Sequence, residues 1–221
     1  MIGKEINLLK NYPKTKRDVS KRREEKTEEH RAIARKFGKD FFDGDRKVGY
    51  GGFRYNSKYW NQVVKDIAEY YKLKSGDKIL DIGCGKGFML YDFSKLNPKF
   101  EIFGLDISEY AIKNCIEPLK GKLQVGNAIS LPYPDNHFDL VISINTHHNL
   151  DGEDIIKAFN EVERVTKKNS FIVLDAYSNE KEKEELINWN LTAKTIKHVD
   201  DWKEFFEKIN FKGDYYWFKP L

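Results

Sequence analysis

The chain has 221 residues, of which 40% are hydrophobic and 33% charged, values that predict one folded domain with a highly soluble surface. No apolar run approaches the ~20 residues of a membrane-spanning helix, and the N-terminus lacks the apolar core of a secretory signal. The two cysteines, Cys84 and Cys115, are too few for a disulfide-stabilised scaffold. We therefore expect a reduced, cytoplasmic protein that does not enter a membrane.

The N-terminal segment carries the basic excess of the chain. Residues 1–36 hold twelve Lys/Arg and six Asp/Glu, a net +6 within an overall +4, which leaves −2 for the remainder. One interpretation is an arm that binds the phosphates of a nucleic acid. The other is a solvated charged helix, and the interspersed acids favour it. Because the rest of the chain is not basic, the composition argues against a nucleic-acid substrate.

The next segment is rich in glycine and aromatic residues. It reads FGKDFFDGDRKVGYGGFRYNSKYW over residues 37–60, and a helix is predicted to follow over residues 61–71. We expect residues 1–75 to form an N-terminal extension with a charged helix and a glycine/aromatic lid. The alternative is a turn-rich hydrophobic cover for one face of a sheet.

From residue 75 onward, short β-rich runs alternate with helical patterns. The predicted strands are residues 78–82, 101–107, 122–126, 138–144, 170–177 and 214–218. The predicted helices are residues 87–96, 108–119, 151–168, 180–189 and 200–209. Repeated strand–helix units predict an α/β fold with a doubly wound, mostly parallel sheet.

A glycine loop joins the first predicted strand to the first helix. It reads ILDIGCGKGF over residues 79–88 and places Gly83, Gly85 and Gly87 where the backbone can approach a ligand. The spacing matches neither a dinucleotide-binding G-x-G-x-x-G loop nor a phosphate-binding Walker A loop. Asp81 precedes the glycines and suits a ligand that carries a positive charge.

The stretch LDIGCGKG, followed by GLDIS after the second strand, resembles the class I S-adenosylmethionine-dependent methyltransferases over roughly residues 76–177. The resemblance implies a Rossmann-like methyltransferase fold for residues 76–221 and S-adenosyl-L-methionine as cofactor. It also implies that Asp106 binds the ribose hydroxyls and that Asn127 contacts the adenine edge. The other cofactor contacts that we assign are Asp81, Gly83, Cys84, Gly85, Gly87, Ile107, Ala128, Asn145, Tyr50 and Arg54.

Aromatic residues of the N-terminal extension are expected near the same ligand. Tyr50 and Tyr55 are candidate hydrogen-bonding aromatics, and Arg54 is the candidate partner of the cofactor carboxylate. Trp60 either packs against the sulfonium through cation–π attraction or belongs to the core of its helix.

Two adjacent histidines follow the fourth strand in the stretch SINTHHNL, residues 143–150. Neighbouring side chains of an extended segment point to opposite faces, and no cysteine or carboxylate cluster accompanies the pair, so we predict no metal site. We expect one of His147 and His148 to contact the methyl acceptor, and we favour His147. Tyr177, at the end of the fifth strand, is a further catalytic candidate.

The acceptor is expected to be a small polar metabolite, such as a sugar or a nucleotide-sugar-like compound. The Asp/Asn-Pro-Pro-aromatic turn of relatives that methylate nucleic-acid bases is absent after the fourth strand. Trp189, Asn190 and Thr192 are candidate acceptor contacts, each with an ordinary packing alternative. The competing hypotheses are an RNA or protein methyltransferase that uses the basic arm and a non-catalytic cofactor-binding protein. A homodimer is compatible with the sequence.

Overall fold

The computed structural model describes residues 3–13 and 26–219, and seven strands of these ranges form one sheet. The strands β1 to β7 are Lys78–Ile82, Glu101–Asp106, Leu123–Val125, Phe138–Ile144, Thr166–Tyr177, Lys197–His198 and Asp214–Phe218. The order is β3-β2-β1-β4-β5, and both β7 and the two-residue β6 pair with β5. Every pair is parallel, which confirms the predicted α/β fold with its doubly wound sheet.

Helices flank the strands on both faces of the sheet. The helices α1 to α8 are Glu28–Ala34, Lys39–Asp43, Ser57–Tyr70, Phe88–Leu96, Glu109–Lys113, Gly152–Val165, Glu180–Trp189 and Val199–Lys208. The helix predicted over residues 108–119 is shorter than expected. It begins after the N-cap Ser108 and ends at Lys113, and Pro118 lies in a separate 3-10 turn because proline has no backbone N–H to continue a helix.

Apolar side chains fill both faces of the sheet. On one face, Phe159 of α6 packs with Trp202 and Phe206 of α8. On the other face, Ile67 of α3 packs with Phe93 of α4. Residues of α3 therefore share the hydrophobic core of the sheet, although the sequence places them in the N-terminal extension.

The first described residues lie beside the last strand. Glu5 bridges to Tyr215 of β7 in parallel, and the Ile6 N–H donates to the Tyr215 carbonyl at 2.9 Å. This pairing covers part of an edge strand that would otherwise present free backbone groups. Of the charged helix expected in residues 1–36, α1 lies in the described chain, whereas residues 14–25 lie outside it.

None of the helices in the described ranges combines the length and hydropathy that a membrane span requires.

Two buried tryptophans allow a matched test of one hydrogen bond that orders β5. The indole N–H of Trp202 donates to the Asp175 carbonyl at 3.0 Å, whereas the buried indole N–H of Trp217 has no partner. Trp202→Phe should lower the free energy of unfolding by about 1 to 3 kcal/mol more than Trp217→Phe, because only the first loses a hydrogen bond. Urea unfolding of both variants measures the difference, and equal losses would contradict this account.

Candidate active site

A cavity of about 1200 Å³ opens at the carboxyl ends of β1, β2, β4 and β5. This is the edge at which open α/β sheets bind their ligands. Its roof comes from residues 26–60, which we call the roof segment, and its floor comes from the loops that follow the strands. The aromatic residues of the roof segment that line the cavity are Phe37, Phe41, Phe42, Tyr50, Phe53, Tyr55, Tyr59 and Trp60.

The glycine loop turns sharply from β1 towards α4. Gly83 has φ +81°, and a Cβ at this position would lie 2.0 Å from the Thr146 Oγ1 atom. Only glycine fits that combination of left-handed backbone and close contact. The N–H groups of Gly83 and Cys84 donate to the Leu105 carbonyl at 2.7 and 3.1 Å, which ties the loop to β2.

Gly87 lies behind the loop, away from the cavity lining. It has φ +80°, and a Cβ here would lie 2.7 Å from the Leu123 side chain. Although the sequence assigns Gly87 to the cofactor, the structure places it where it permits close packing of α4 against β3.

The carboxylate of Asp106 fixes the loop from the end of β2. Its Oδ2 accepts from the Gly85 N–H at 2.7 Å, and its Oδ1 accepts from the Ser108 N–H at 2.8 Å. Burial raises the pKa of Asp106, and these two backbone bonds oppose that shift. Each oxygen keeps a further lone pair for a ligand in the cavity. Ile107, Asn127 and Ala128 line the same part of the cavity.

Asp81 is a second buried carboxylate on the cavity wall. It is 4% exposed, and burial together with the charge of Asp106 raises its pKa to about 8. Among the residues that the structure describes, neither carboxylate forms an ion pair. A ligand with a positive charge and hydroxyl donors would supply both missing partners.

An ion pair holds the roof segment to the glycine loop. The Lys86 Nζ lies 2.5 Å from the Asp43 Oδ1 and donates to the Phe53 carbonyl at 3.1 Å. The Tyr110 hydroxyl donates to the other oxygen of Asp43 at 2.9 Å. The sequence does not reveal this clamp, because the partners are separated by more than forty residues.

The aromatic and basic candidates of the roof segment all line the cavity. Tyr50 packs between Phe41 and Phe42 and bonds the Gly52 carbonyl through its hydroxyl. The Tyr55 hydroxyl donates to Asp92, and Arg54 is exposed at the mouth. Trp60 packs edge-on against Tyr12 with ring centroids 5.0 Å apart, so it contributes to both the cavity wall and local packing.

The two histidines occupy a 3-10 turn, His147–Asn149, and face different surroundings. His147 is fully buried against Phe159 and lies outside the cavity lining. The Ser143 hydroxyl donates its proton to the Ile82 carbonyl. The His147 Nδ1 lies 2.8 Å from the same hydroxyl oxygen and therefore donates to it. Burial lowers the pKa of His147 to about 4. The preference for His147 as the acceptor contact is therefore wrong on geometry, because this ring is buried outside the cavity and bonds Ser143 of β4.

His148 is the histidine that lines the cavity. Its Nδ1 accepts from the Asp175 N–H at 2.9 Å, which leaves the ring proton on Nε2. Burial lowers the pKa of His148, so the ring is held neutral. In this tautomer His148 is a hydrogen-bond donor to a ligand rather than a base.

Tyr177 is the last residue of β5, but its side chain does not belong to the cavity lining. Its ring packs against His198 at 5.5 Å, and the Lys183 Nζ lies over it at 5.4 Å. The structure thus gives Tyr177 a packing position and does not bring it to the expected acceptor.

Other polar residues do reach the acceptor side of the cavity. Trp189, Asn190 and Thr192 line it as expected, and Asn145, with φ +54°, presents a buried Oδ1 without a partner. The sequence interpretation missed Asn149 and Asp175 as site residues, although both line the cavity with unpartnered buried oxygens. Asp175 could have been found as the first charged residue after the buried run FIVL, at the carboxyl end of a parallel strand.

The described residues contain no cluster of three or more His, Cys, Asp or Glu side chains that could hold a metal ion.

The residues of the cavity fit S-adenosyl-L-methionine. Asp81 and the unpartnered Asn145 Oδ1 suit the positive groups of its methionine part, and Asp106 suits its ribose hydroxyls. A side chain at Gly83 would collide with Thr146. Because glycine has none, the backbone of the loop can lie close to the ligand. Fold and site together define a Rossmann-like enzyme that binds this cofactor.

The sequence matches the model of a family described as a methyltransferase domain over residues 73–213. This range is more than half of the chain, and the protein belongs to the S-adenosylmethionine-dependent methyltransferases of class I. Members of this class use S-adenosyl-L-methionine as methyl donor.

Curated relatives carry several different acceptor names. A tRNA (carboxymethyluridine(34)-5-O)-methyltransferase of Arabidopsis thaliana is 38% identical over 67% of this chain and 35% of its own length. A demethylmenaquinone methyltransferase of Symbiobacterium thermophilum is 33% identical over 53% of this chain and 49% of its own length. The chain thus spans between about a third and a half of the length of these relatives.

A solved structure shows the same fold. The YcgJ protein of Bacillus subtilis superposes with a TM-score of 0.53 and 23% identity, covering 65% of each chain.

The role of Asp106 can be tested by cofactor affinity. Asp106→Ala should weaken S-adenosylmethionine binding more than tenfold, a loss above about 1.4 kcal/mol, because the ribose partner and the anchor of Gly85 are both removed. Asp139→Ala is the matched control, since this buried carboxylate accepts from the Lys78 N–H at the opposite end of the sheet. Isothermal titration calorimetry gives both affinities, and an unchanged value for Asp106→Ala would refute the assignment.

The raised pKa of Asp81 predicts proton release on cofactor binding. The free carboxyl group, with a pKa of about 8, is mostly protonated at pH 7, and a bound cation favours its charged form. S-adenosylmethionine affinity should therefore rise with pH up to about pH 8 and level off above it. Calorimetry at pH 7 in two buffers of different ionisation enthalpy should report release of a proton, and Asp81→Asn should remove that release. Equal proton release in the variant would contradict this assignment.

Proposed function

We propose that this methyltransferase acts on a small polar acceptor, such as a sugar or a nucleotide-linked sugar, by in-line displacement at the methyl carbon. The observation that carries the proposal is the closure of the roof segment over the cavity. The Arg31 Nη2 donates to the Ile187 carbonyl at 3.0 Å, and the Lys26 Nζ bonds the Trp189 carbonyl. Residues 26–31 thereby reach across to α7, and this partial cover over the cavity favours a small molecule.

The size of the cavity supports the same conclusion. A site for one small ligand usually measures roughly 300 to 1,000 Å³, and this cavity of about 1200 Å³ exceeds that range. The excess leaves room for an acceptor beside the cofactor. The acceptor side is lined by His148, Asn149, Asp175 and Asn190, all of them polar.

The bound cofactor supplies a methyl group that its sulfonium charge has already activated. The residues of the chain have to align the acceptor and exclude water. Asp81 and Asp106 hold the donor side, while the aromatic roof segment keeps water from the reacting groups. The Nε2–H of neutral His148 can donate to the acceptor and fix its orientation.

A second candidate acceptor is one nucleotide of an RNA. Three exposed cationic residues, Arg46, Lys47 and Arg54, line the mouth of the cavity, where they could hold phosphates. The Arabidopsis relative is named as a tRNA methyltransferase. Enzymes that modify bases extrude one nucleotide into a pocket, so a partly covered cavity is compatible with such a substrate.

Labelling distinguishes the two acceptors. Incubation with radiolabelled S-adenosylmethionine and fractionated cell extract should place the label in the dialysable small-molecule fraction. For an uncharged sugar, the double variant Arg46→Glu/Lys47→Glu should keep at least half of that labelling, because such an acceptor has no phosphate for these cations to bind. Label found only in RNA, and lost in the double variant, would overturn the proposal in favour of the second candidate. The matched control, Lys99→Glu/Lys122→Glu, reverses two exposed charges at the opposite end of the sheet.

A further inference from the structure

A buried carboxylate with one free oxygen lies beneath the acceptor side of the cavity. Asp175, near the end of β5, has 0% exposure and lines the cavity. Its Oδ2 accepts a hydrogen bond from the Asn190 Nδ2, whereas its Oδ1 is buried without a hydrogen-bond partner among the described residues. A carboxylate oxygen buried in this way has lost its hydrogen bonds to water without forming others. This costs free energy unless a ligand supplies a hydrogen-bond donor.

His148 does not neutralise this carboxylate. Its Nδ1 lies 3.6 Å from the Asp175 Oδ1, a distance that would suit an ion pair if the ring were charged. The same Nδ1 accepts from the Asp175 N–H at 2.9 Å, so it carries no proton. No Lys or Arg of the described residues forms an ion pair with Asp175 either.

The surroundings of Asp175 hold its side chain in one orientation. The Trp202 indole donates to the Asp175 carbonyl and fixes the backbone. The Asn190 Oδ1 accepts from the N–H groups of Thr192 and Ala193 at 2.8 and 2.6 Å. The Asn190 amide is thus oriented with its NH₂ group towards Asp175. This NH₂ group donates to the Asp175 Oδ2, and the Asp175 Oδ1 stays available for a ligand.

The polar groups around Asp175 define the chemistry of the acceptor. Asp175 Oδ1 and the buried, unpartnered Asn149 Oδ1 require hydrogen-bond donors, whereas His148 offers its Nε2–H as a donor. A hydroxyl group satisfies both needs because it donates and accepts at once. An ammonium group cannot accept, and a thiol does both only weakly.

We propose that Asp175 is the catalytic base and that the methylated group is a hydroxyl of a polyhydroxylated acceptor. Asp175 Oδ1 takes the hydroxyl proton as the oxygen forms its bond to the methyl carbon. The carbon–sulfur bond breaks and its electron pair stays on sulfur, so the products are a methyl ether, a neutral sulfide and a protonated Asp175. Burial raises the pKa of Asp175, which makes it a stronger base than an exposed carboxylate. The inference rests on the small polar acceptor proposed above.

The first test needs no acceptor. Asp175→Asn keeps the shape of the side chain and removes an unpaired buried charge, so the ligand-free variant should unfold at a higher temperature than the wild type. The matched control Asp201→Asn, at an exposed position in the first turn of α8, should not raise the unfolding temperature, because it removes a charge that the helix dipole favours. A lower unfolding temperature for Asp175→Asn would mean that the carboxylate is a structural partner, and it would overturn the proposal.

The second test separates the base from cofactor binding. Calorimetry should show that Asp175→Asn binds S-adenosylhomocysteine with wild-type affinity. Its rate of methyl transfer from radiolabelled S-adenosylmethionine to the acceptor in the extract should fall by about 10² to 10⁴-fold. Asp201→Asn should keep full transfer. Retention of more than a third of the wild-type rate by Asp175→Asn would overturn the role as base.

The identity of the methylated atom is tested on the labelled product. Mass spectrometry of the product should show a methyl ether, and methylated nitrogen or sulfur would overturn the hydroxyl assignment. A rate loss in Asp175→Asn with label in an RNA ribose would refute the small-molecule function while supporting the catalytic base. Rate loss with label in a small molecule supports both.

Discussion

The site depends on the carboxylate of Asp106, which binds the backbone on both sides of the cavity floor. Its bonds to the N–H groups of Gly85 and Ser108 join the loop after β1 to the turn after β2. The three glycines of the loop have positive φ and carry no side chain, so backbone hydrogen bonds have to hold these positions in place. Asp106 both fixes the backbone of the loop and faces the ligand. The same buried acid therefore determines the geometry of the binding surface and its charge.

Charge is unevenly distributed over the cavity. Asp81, Asp106 and Asp175 form a buried acidic floor, whereas the cationic residues lie at the mouth and in the clamp between Lys86 and Asp43. Burial raises the pKa of all three acids. An environment of this kind favours a cationic donor and neutral, hydrogen-bond-donating acceptors over anionic groups on the floor.

The central strands were predictable because buried apolar runs end at polar residues, and β4 coincides with its predicted range of residues 138–144. The two-residue β6 was not predicted, and β5 begins at Thr166 in a stretch that was predicted to be helical. Asp106 was assigned through the family resemblance, as the acid that ends the second strand. The orientation of the histidine pair was not predictable, since it depends on the positive φ of Asn145 and the 3-10 turn that follows. The place of Asp175 at the end of β5 can be read from the sequence, but its hydrogen-bonding partners Asn190 and Trp202 are distant in the chain. Such contacts leave no periodic signal.

The pairing of residues 4–6 with β7 has a consequence for biosynthesis. The chain that leads into the roof segment is attached to Tyr215, a residue synthesised some two hundred positions later. During translation, β1 to β4 can emerge and begin to pair while the N-terminal residues still lack their strand partner. The N-terminal attachment therefore forms only after β7 has left the ribosome.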